Sequence, residues 1–437
     1  MDRKPSPLAW VQRFVLGGVV VALLAIGAQA TGNAAAELAL SDGTSWLVNP
    51  PTGEAIQVNT VTAEITARVE VAEDGDPLEA VQLGPSAVVL DKATGSIRKV
   101  DGVLLDTTAE TTSSGNPADL ELVEGGGQPW LVDTVGGAAT SLDPTSLEAQ
   151  VRADVPPGSV GAAADDDGHL WLADPAEGSV VRVDPDSEGT TTGVTDAGHH
   201  IAPAVASGLP ALVDATGGAV FELDDSGELR DEFCLTETPV EPGAPLLTGG
   251  SPAEDDRRVV LSVVAELGAL VVTDLDSGTC DTEEIGRAVQ SDETGAEYGT
   301  PVMSGGYAYV PDLSMGSVIV VDLEEMRTIE RLPILTDFDP FELFVDNGVV
   351  VYNNLVGPEW GIIEGNRHLR GEPKYDDGSG NSGATVIGEV EDGDGTGTTV
   401  EGDDERGDEG EPGNGDGDEP DEPDTTDTSS VDRPDNG

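Results

Sequence analysis

Short apolar strands separated by tight turns recur along the chain from residue 37 to residue 370. A typical unit has the apolar strand Leu170–Asp174, a three-residue turn, Gly178, and a second alternating strand that closes at Asp184. Alternation of apolar and polar residues with a period of two is typical of a β-strand with one buried face. The pattern predicts an all-β domain of antiparallel strands, with glycine, Asp or Asn at the reversals.

The glycine and the closing residue of each unit keep a constant spacing. In seven units the closing Asp or Asn stands six positions after the glycine. The pairs are Gly53 with Asn59, Gly95 with Asp101, Gly137 with Asp143, Gly178 with Asp184, Gly218 with Asp224, Gly268 with Asp274 and Gly316 with Asp322. The closing residues advance by 42, 42, 41, 40, 50 and 48 positions, and a less regular eighth unit follows at 341–364. A period of this length indicates a fold of repeated supersecondary units.

A single β-meander unit cannot bury both of its faces, whereas radial stacking of such units buries both and shields their edges. We therefore predict a single β-propeller of seven or eight four-stranded blades. Eight is favoured because the first unit contains four strands of its own. Aromatic residues three positions before the Asp or Asn that ends a unit's first strand are predicted to anchor blade packing, with carbohydrate stacking as the alternative. They are Trp46, Trp130, Trp171 and Tyr309.

The N-terminal segment, residues 1–36, is predicted to direct the chain out of the cytoplasm. Three basic residues within the first thirteen precede an uncharged apolar run at 14–28. The sequence AQA ending at Ala30 fits a signal-peptidase site, which predicts a cleaved signal peptide. The apolar stretch is also long enough, at roughly 20 residues, to remain as a membrane anchor. Both alternatives place the propeller, residues 37–370, outside the membrane.

Charge and composition separate the C-terminal segment from the propeller. Residues 371–437 consist largely of Gly, Asp, Glu, Pro, Thr and Ser, so we predict a disordered acidic tail or linker. The whole chain carries 20 Lys+Arg against 85 Asp+Glu, a net charge of −65. Such a polyanion repels phosphate, which excludes nucleic acid as a partner.

The repeats resemble two known propeller families. The phrases LWLADPAEGSVVRVD, PWLVDTVGGAATSLD and AYVPDLSMGSVIVVD are similar to the repeats of YVTN-type surface-layer propellers and of virginiamycin B lyase-like, or streptogramin lyase-like, propellers. The resemblance covers residues 37 to about 369. The order of basic N-terminus, membrane segment, propeller and acidic linker also resembles the N-terminal part of actinobacterial cell-surface proteins that continue into fibronectin type III modules.

The lyase resemblance implies a histidine general base, with a second histidine and a glutamate near a bound magnesium in a Glu-x-x-His loop. The chain has four histidines, His169, His199, His200 and His368, and none lies in such a motif. The nearest approximation places Glu364 four positions before His368. His199 and His200 begin a strand of the fifth unit and are weak catalytic candidates that can face a central channel. The lyase mechanism is therefore not carried over to this chain.

Consecutive acidic residues offer a weak metal site. Asp165, Asp166 and Asp167 have the carboxylate oxygens that Ca²⁺ prefers. A solvated turn is the favoured interpretation, because acidic runs are common in a chain of this composition. We predict no cofactor, with a divalent cation as the alternative.

The two cysteines are predicted to form a disulfide. Cys234 lies in the last strand of the fifth unit, and Cys280 in the corresponding region of the sixth. Neighbouring blades of an exported protein can be bridged in this way. Two buried thiols are the alternative.

These features favour a monomeric, extracytoplasmic, non-enzymatic binding or scaffold module at the cell surface, either tethered or secreted. The expected partner is a protein, peptide or glycan bound at the blade loops, with the membrane as a further partner if the anchor stays uncut. The first alternative is a divalent-metal-dependent lyase-like enzyme that uses His199 or His200. The second is a mechanical spacer held by the two end segments.

Overall fold

The computed structural model describes residues 43–187, 189–236, 240, 246–252, 257–286, 297–336, 338–376 and 386–387. The predicted N-terminal membrane segment and almost all of the acidic tail lie outside these residues. Within them, β-strands form eight antiparallel sheets, accompanied by two short 3-10 helices at Pro50–Thr52 and Pro117–Asp119. None of the described helices is long and apolar enough to span a membrane.

Each sheet is one blade, and its strands follow one another in chain order. Blade one contains β1 (Thr44–Asn49), β2 (Glu54–Asn59) and β3 (Glu64–Glu70), and blade two contains β4 (Leu78–Leu83), β5 (Ser86–Asp91), β6 (Ser96–Asp101) and β7 (Asp106–Thr112). Blade three contains β8 (Leu120–Gly125), β9 (Gln128–Asp133), β10 (Ala138–Leu142) and β11 (Ala149–Asp154), and blade four contains β12 (Val160–Ala164), β13 (Leu170–Asp174), β14 (Ser179–Val183) and β15 (Thr190–Gly193).

Blades five to eight complete the ring. Blade five contains β16 (Ile201–Ala206), β17 (Leu209–Asp214), β18 (Ala219–Leu223) and β19 (Leu229–Cys234), and blade six contains β20 (Leu247–Gly250), β21 (Val259–Val264), β22 (Ala269–Asp274) and β23 (Thr279–Glu284). Blade seven contains β24 (Val302–Ser304), β25 (Tyr307–Asp312), β26 (Ser317–Asp322) and β27 (Arg327–Pro333). Blade eight contains β28 (Phe341–Asp346), β29 (Val349–Asn354), β30 (Trp360–Glu364), β31 (Arg367–Arg370) and β32 (Val386–Ile387).

The first strands of blades two to eight lie innermost and contact one another in succession around the ring. The second and third strands are almost fully buried, whereas the outermost strands carry exposed charged and threonine side chains. Charged edge strands oppose edge-to-edge aggregation. The predicted β-propeller is confirmed, and it has eight blades.

The described part of the first blade has three strands, and β1 corresponds in sequence and burial to the second strand of the other blades. The residues before residue 43 lie outside the described part of the chain. The side-chain amide of Gln82, on β4, hydrogen-bonds the backbone of β1: Trp46 N donates to Gln82 Oε1 at 3.1 Å, and Gln82 Nε2 donates to Trp46 O at 2.8 Å. One side-chain amide thus joins the first two blades through both backbone groups of Trp46.

The repeat glycines are explained by backbone geometry. All seven have a positive φ, between 58° and 76°. At Gly178 an added Cβ would lie 2.4 Å from the carbonyl oxygen of Thr195, so an L-residue is excluded by both conformation and space. The closing acids act as turn caps: Asp143 Oδ1, for example, accepts hydrogen bonds from the backbone N–H groups of Thr145 and Ser146. These hydrogen bonds lower the pKa of Asp143.

The four aromatic residues of the repeat lie buried between successive blades. Trp130 packs against Leu170 and Leu172 of blade four, and its Nε1 donates to the carbonyl of Gly168 at 3.0 Å. Tyr309 packs against blade eight and accepts a hydrogen bond from Gly365 N. Trp46 and Trp171 are buried in the same way. Their burial fits the predicted packing role and leaves no aromatic face for a sugar.

Blade eight meets blade one in a polar seam. Asn353 Nδ2 donates to Val48 O at 3.0 Å and to Glu342 Oε1 at 2.9 Å. The fully buried Lys374 donates from Nζ to Asn353 Oδ1 at 2.8 Å and to the carbonyl of Asn354. Burial lowers the pKa of Lys374 to about 7, and burial raises the pKa of Glu342. The ring is closed by side-chain hydrogen bonds as well as by apolar packing.

A disulfide joins Cys234 and Cys280, whose Cα atoms are 5.8 Å apart. It links the outermost strands β19 and β23 of neighbouring blades. No cysteine is free. A bridge of this kind fits an oxidising compartment.

Candidate central binding cavity

A cavity of about 890 Å³ lies at the centre of the ring. Its walls are the innermost strands β8, β12, β16 and β20, with Thr300 just before β24. The volume suits a small molecule or an extended chain segment. A second cavity, of about 250 Å³, lies beside β4 and β28 and shares Glu124 with the first.

The two walls of the central cavity differ in chemistry. Strands β12, β16 and β20 read VGAAA, IAPAVA and LTGG, so one wall presents small, largely apolar side chains. On the other wall β8 contributes Glu121 and Glu124. Glu79 and Glu342 occupy the matching second position of β4 and β28. Among the described residues that line the cavity, none is a lysine or arginine.

Glu121 is the most perturbed acid of the cavity. Burial raises its pKa to about 7; the nearby Glu79 adds to the shift, and Lys92 opposes it. Its carboxylate accepts no hydrogen bond from the residues that the structure describes, although its side chain is exposed to the cavity. Burial likewise raises the pKa of Glu124, against the opposing hydrogen bond from Gly127 N to its Oε1. Neither carboxyl group is fully enclosed, since Glu121 is exposed and Glu124 is half-buried, so both can meet a ligand in the cavity.

His199 and His200 lie together at one end of the cavity, as the sequence suggested for a strand start facing the channel. The Nδ1 atom of His199 lies 2.7 Å from Oδ2 of the buried Asp214 and 2.8 Å from Oγ1 of Thr195. Thr195 Oγ1 itself donates to Asp214 Oδ2 at 2.6 Å. A buried carboxylate that orients a histidine is a common way to fix its tautomer and direction.

His200 differs from its neighbour. Its Nδ1 is buried without a hydrogen-bond partner among the described groups. Burial lowers its pKa, against the opposing charges of Glu266 and Asp214. Its ring is therefore neutral at pH 7 and contributes a polar, uncharged surface to the mouth of the cavity.

The other two histidines lie away from the cavity. His169 has Nδ1 2.9 Å from Asp165 Oδ2 and Nε2 3.5 Å from Asp184 Oδ1, within blade four. His368 is buried on β31, where its ring meets Tyr352 edge-on at 6.3 Å. The four histidines thus do not converge on one site.

The acidic run at 165–167 forms a turn rather than an open ligand set. Asp165 Oδ1 accepts from the backbone N–H groups of Asp167 and His169, and its Oδ2 accepts from Trp171 Nε1 at 2.8 Å. Its lone pairs are therefore used within the blade. Among the described residues, no group of three or more His, Cys, Asp or Glu side chains is placed to hold a metal ion.

The sequence analysis did not single out the glutamates of the inner strands. A signal was present, because LEAVQL, LELVEG and FELFVD each place a glutamate second in the first strand of a unit. That slot is apolar, small or threonine in the first strands β12, β16 and β20. Only the ring geometry shows that Glu121 lines the central cavity and that Glu342 lines the second cavity beside it.

Comparison with solved structures gives several propellers. Apo AztD from Citrobacter koseri matches with a TM-score of 0.52 at 12% identity, over 74% of this chain and 92% of that chain. Dihydro-heme d1 dehydrogenase NirN matches with a TM-score of 0.54 at 13% identity, over 79% and 74%. Virginiamycin B lyase from Staphylococcus aureus matches with a TM-score of 0.49 at 12% identity, over 64% and 92%.

No family model matches the sequence, and a search of curated proteins gives no match. At 12–13% identity the structural likenesses show the fold alone. The chain is an eight-bladed β-propeller with a disulfide between two blades and an acidic central cavity.

Proposed function

We propose that the chain is a non-enzymatic binding module and that its ligand occupies the central cavity. The observation that carries this proposal is the cavity of about 890 Å³, with a wall of small apolar side chains facing Glu121 and Glu124. Pockets of this size with a few convergent polar groups are the usual form of a small-ligand site. We place the site there rather than on the blade loops because the perturbed carboxyl groups lie there.

We further propose that this binding takes place outside the cytoplasm. The basic N-terminus followed by an apolar run, the disulfide and the acidic surface support an exported protein. The lyase-like alternative is supported less well, because it needs histidine, glutamate and metal ligands to converge. His199 and His200 meet at the mouth, whereas His169 and His368 lie elsewhere.

A tryptophan at the cavity wall is expected to abolish ligand binding. Val160 lines the cavity and is 39% exposed, so Val160→Trp extends an indole into the open space without displacing core side chains. The assay is a thermal-shift screen of a fragment library containing cationic, neutral and anionic compounds. A ligand at a hundredfold excess over its Kd stabilises the folded state by about 2.7 kcal/mol, which is readily detected.

The matched control is Val135→Trp. Val135 is 65% exposed and lies outside the cavity, so the same side-chain change should leave every hit intact. Hits that persist equally in both variants would contradict a central binding site, and so would the absence of any hit.

A further inference from the structure

The walls of the central cavity differ in charge, and this difference limits the chemical class of ligand that the cavity can bind. No lysine or arginine is among the described residues that line the cavity beside the carboxylates of the acidic wall. Lys92 acts on this wall from outside the cavity, where it forms an ion pair with Glu79 at 2.9 Å. The net charge of −65 adds a negative potential around the whole molecule. An anion entering this space meets repulsion from the carboxylates of β8, and a cation meets attraction.

The carboxyl group of Glu121 is open to the cavity. Its side chain is exposed, it lies near Glu79, and no described group donates a hydrogen bond to it. A positively charged ligand group that reaches this carboxylate can therefore pair with it without displacing an existing partner.

The opposite wall, formed by β12, β16 and β20, favours an apolar group on the ligand. Ala163 and Val160 line the cavity, and Val160 exposes 39% of its surface to it. Pro203, on β16, has no backbone N–H to offer an anion. An apolar group placed against this wall loses contact with water and gains packing.

We propose that the cavity binds an organic cation with an apolar body, its ammonium or guanidinium group held by Glu121 and its apolar part packed against Val160 and Ala163. This inference rests on the proposed function and narrows its ligand class. The cation supplies the positive partner that Glu121 lacks, and the water released from the apolar wall adds to the affinity.

Binding is expected to strengthen as the pH rises through about 7. Glu121 is neutral below its raised pKa and charged above it, so the attraction for a cation grows between pH 6 and pH 8. Glu79 and Lys92 face Glu121 from blade two, Asp166 acts on Glu124, and His199 and His200 share the cavity. Protonation of His200 at low pH also opposes a cation, so His200 changes the affinity in the same direction as Glu121.

The test uses hexylammonium, hexanol and hexanoate, which share a body and differ in charge. Alkylammonium stays charged throughout the range, since its pKa is close to that of lysine, about 10.4. Isothermal titration calorimetry on the whole chain is expected to show the tightest binding for hexylammonium, weaker binding for hexanol and none for hexanoate. Glu121→Gln should weaken hexylammonium at pH 8 at least about fivefold, the order expected for losing a charge-assisted contact.

The matched control is Glu177→Gln, which removes the same charge from an exposed position outside the cavity and should change the affinity less than twofold. Glu121→Gln should melt at the same temperature as the wild type at pH 8, because the side chain is exposed, so lost binding cannot be assigned to unfolding. If hexanol or hexanoate binds as tightly as hexylammonium or more tightly, and Val160→Trp abolishes that binding, the cation inference is overturned. The proposal that the central cavity binds a ligand then still stands. Hexylammonium binding unaffected by both Val160→Trp and Glu121→Gln overturns both.

Discussion

Replacing Gly250 with alanine is expected to destabilise the propeller by about 3 kcal/mol. Gly250 ends the innermost strand β20, and a Cβ there would lie 1.9 Å from the carbonyl oxygen of Val205 and 3.1 Å from the Cα of Ala206. Both contacts are with the backbone of β16 in the preceding blade, so no side-chain rotation can relieve them. Chemical denaturation monitored by tryptophan fluorescence measures the loss.

The matched substitution is Gly193→Ala on the outermost strand β15. An added Cβ at Gly193 has no atom within 4 Å, and the backbone there does not have a positive φ. We expect this variant to be neutral or slightly stabilising, since alanine lowers the entropy of the unfolded chain. Equal effects of the two substitutions would show that the inner strands are not packed as closely as the structure has them.

Replacing Lys374 with methionine is expected to destabilise the folded state by about 3 kcal/mol. The change removes the Nζ group that donates to Asn353 Oδ1 and to the carbonyl of Asn354, and it leaves both acceptors without this partner. It also removes a positive charge that acts on Glu342. A buried polar group left without its partner costs the free energy of its desolvation.

A double-mutant cycle separates the charge from the hydrogen bonds. Adding Glu342→Gln to Lys374→Met should recover part of the lost free energy, because the glutamine amide carries no uncompensated charge. The matched surface control is Arg327→Met, which breaks an ion pair with Glu325 where both side chains are more than half exposed. That variant should lose no more than about 0.5 kcal/mol. A Lys374→Met variant as stable as Arg327→Met would contradict the seam described here.

The fold followed from the sequence because its strongest determinants are local and repeated. Blades one to seven each have a left-handed glycine between their second and third strands, and Gly53, Gly178 and their counterparts stand at a fixed distance from the capping Asp or Asn. The contact between the Gln82 amide and the backbone of Trp46 was not predicted, because no local pattern reports a contact between residues 46 and 82.

The site was predicted only in part, since it depends on which blades face one another. The pair His199 and His200 was predicted at a strand start that can face the channel, and in the structure both residues directly precede β16 and line the cavity. The acidic wall was missed, because one glutamate in a chain with 85 acidic residues does not stand out in the sequence. What distinguishes Glu121 is its raised pKa in the folded protein. Lys374 was missed because it stands at the start of a Gly- and Asp-rich stretch that the sequence predicts to be disordered, yet it lies fully buried.

The most direct test of the account is a crystal structure of the protein with 4-bromobenzylammonium, with the bromine located by its anomalous signal. The account predicts a single strong bromine peak inside the central cavity beside Val160 and Ala163, with the ammonium group within hydrogen-bonding distance of Glu121 or Glu124. A bromine confined to the acidic outer rim, or no ordered bromine at a concentration that shifts the melting temperature, would contradict it.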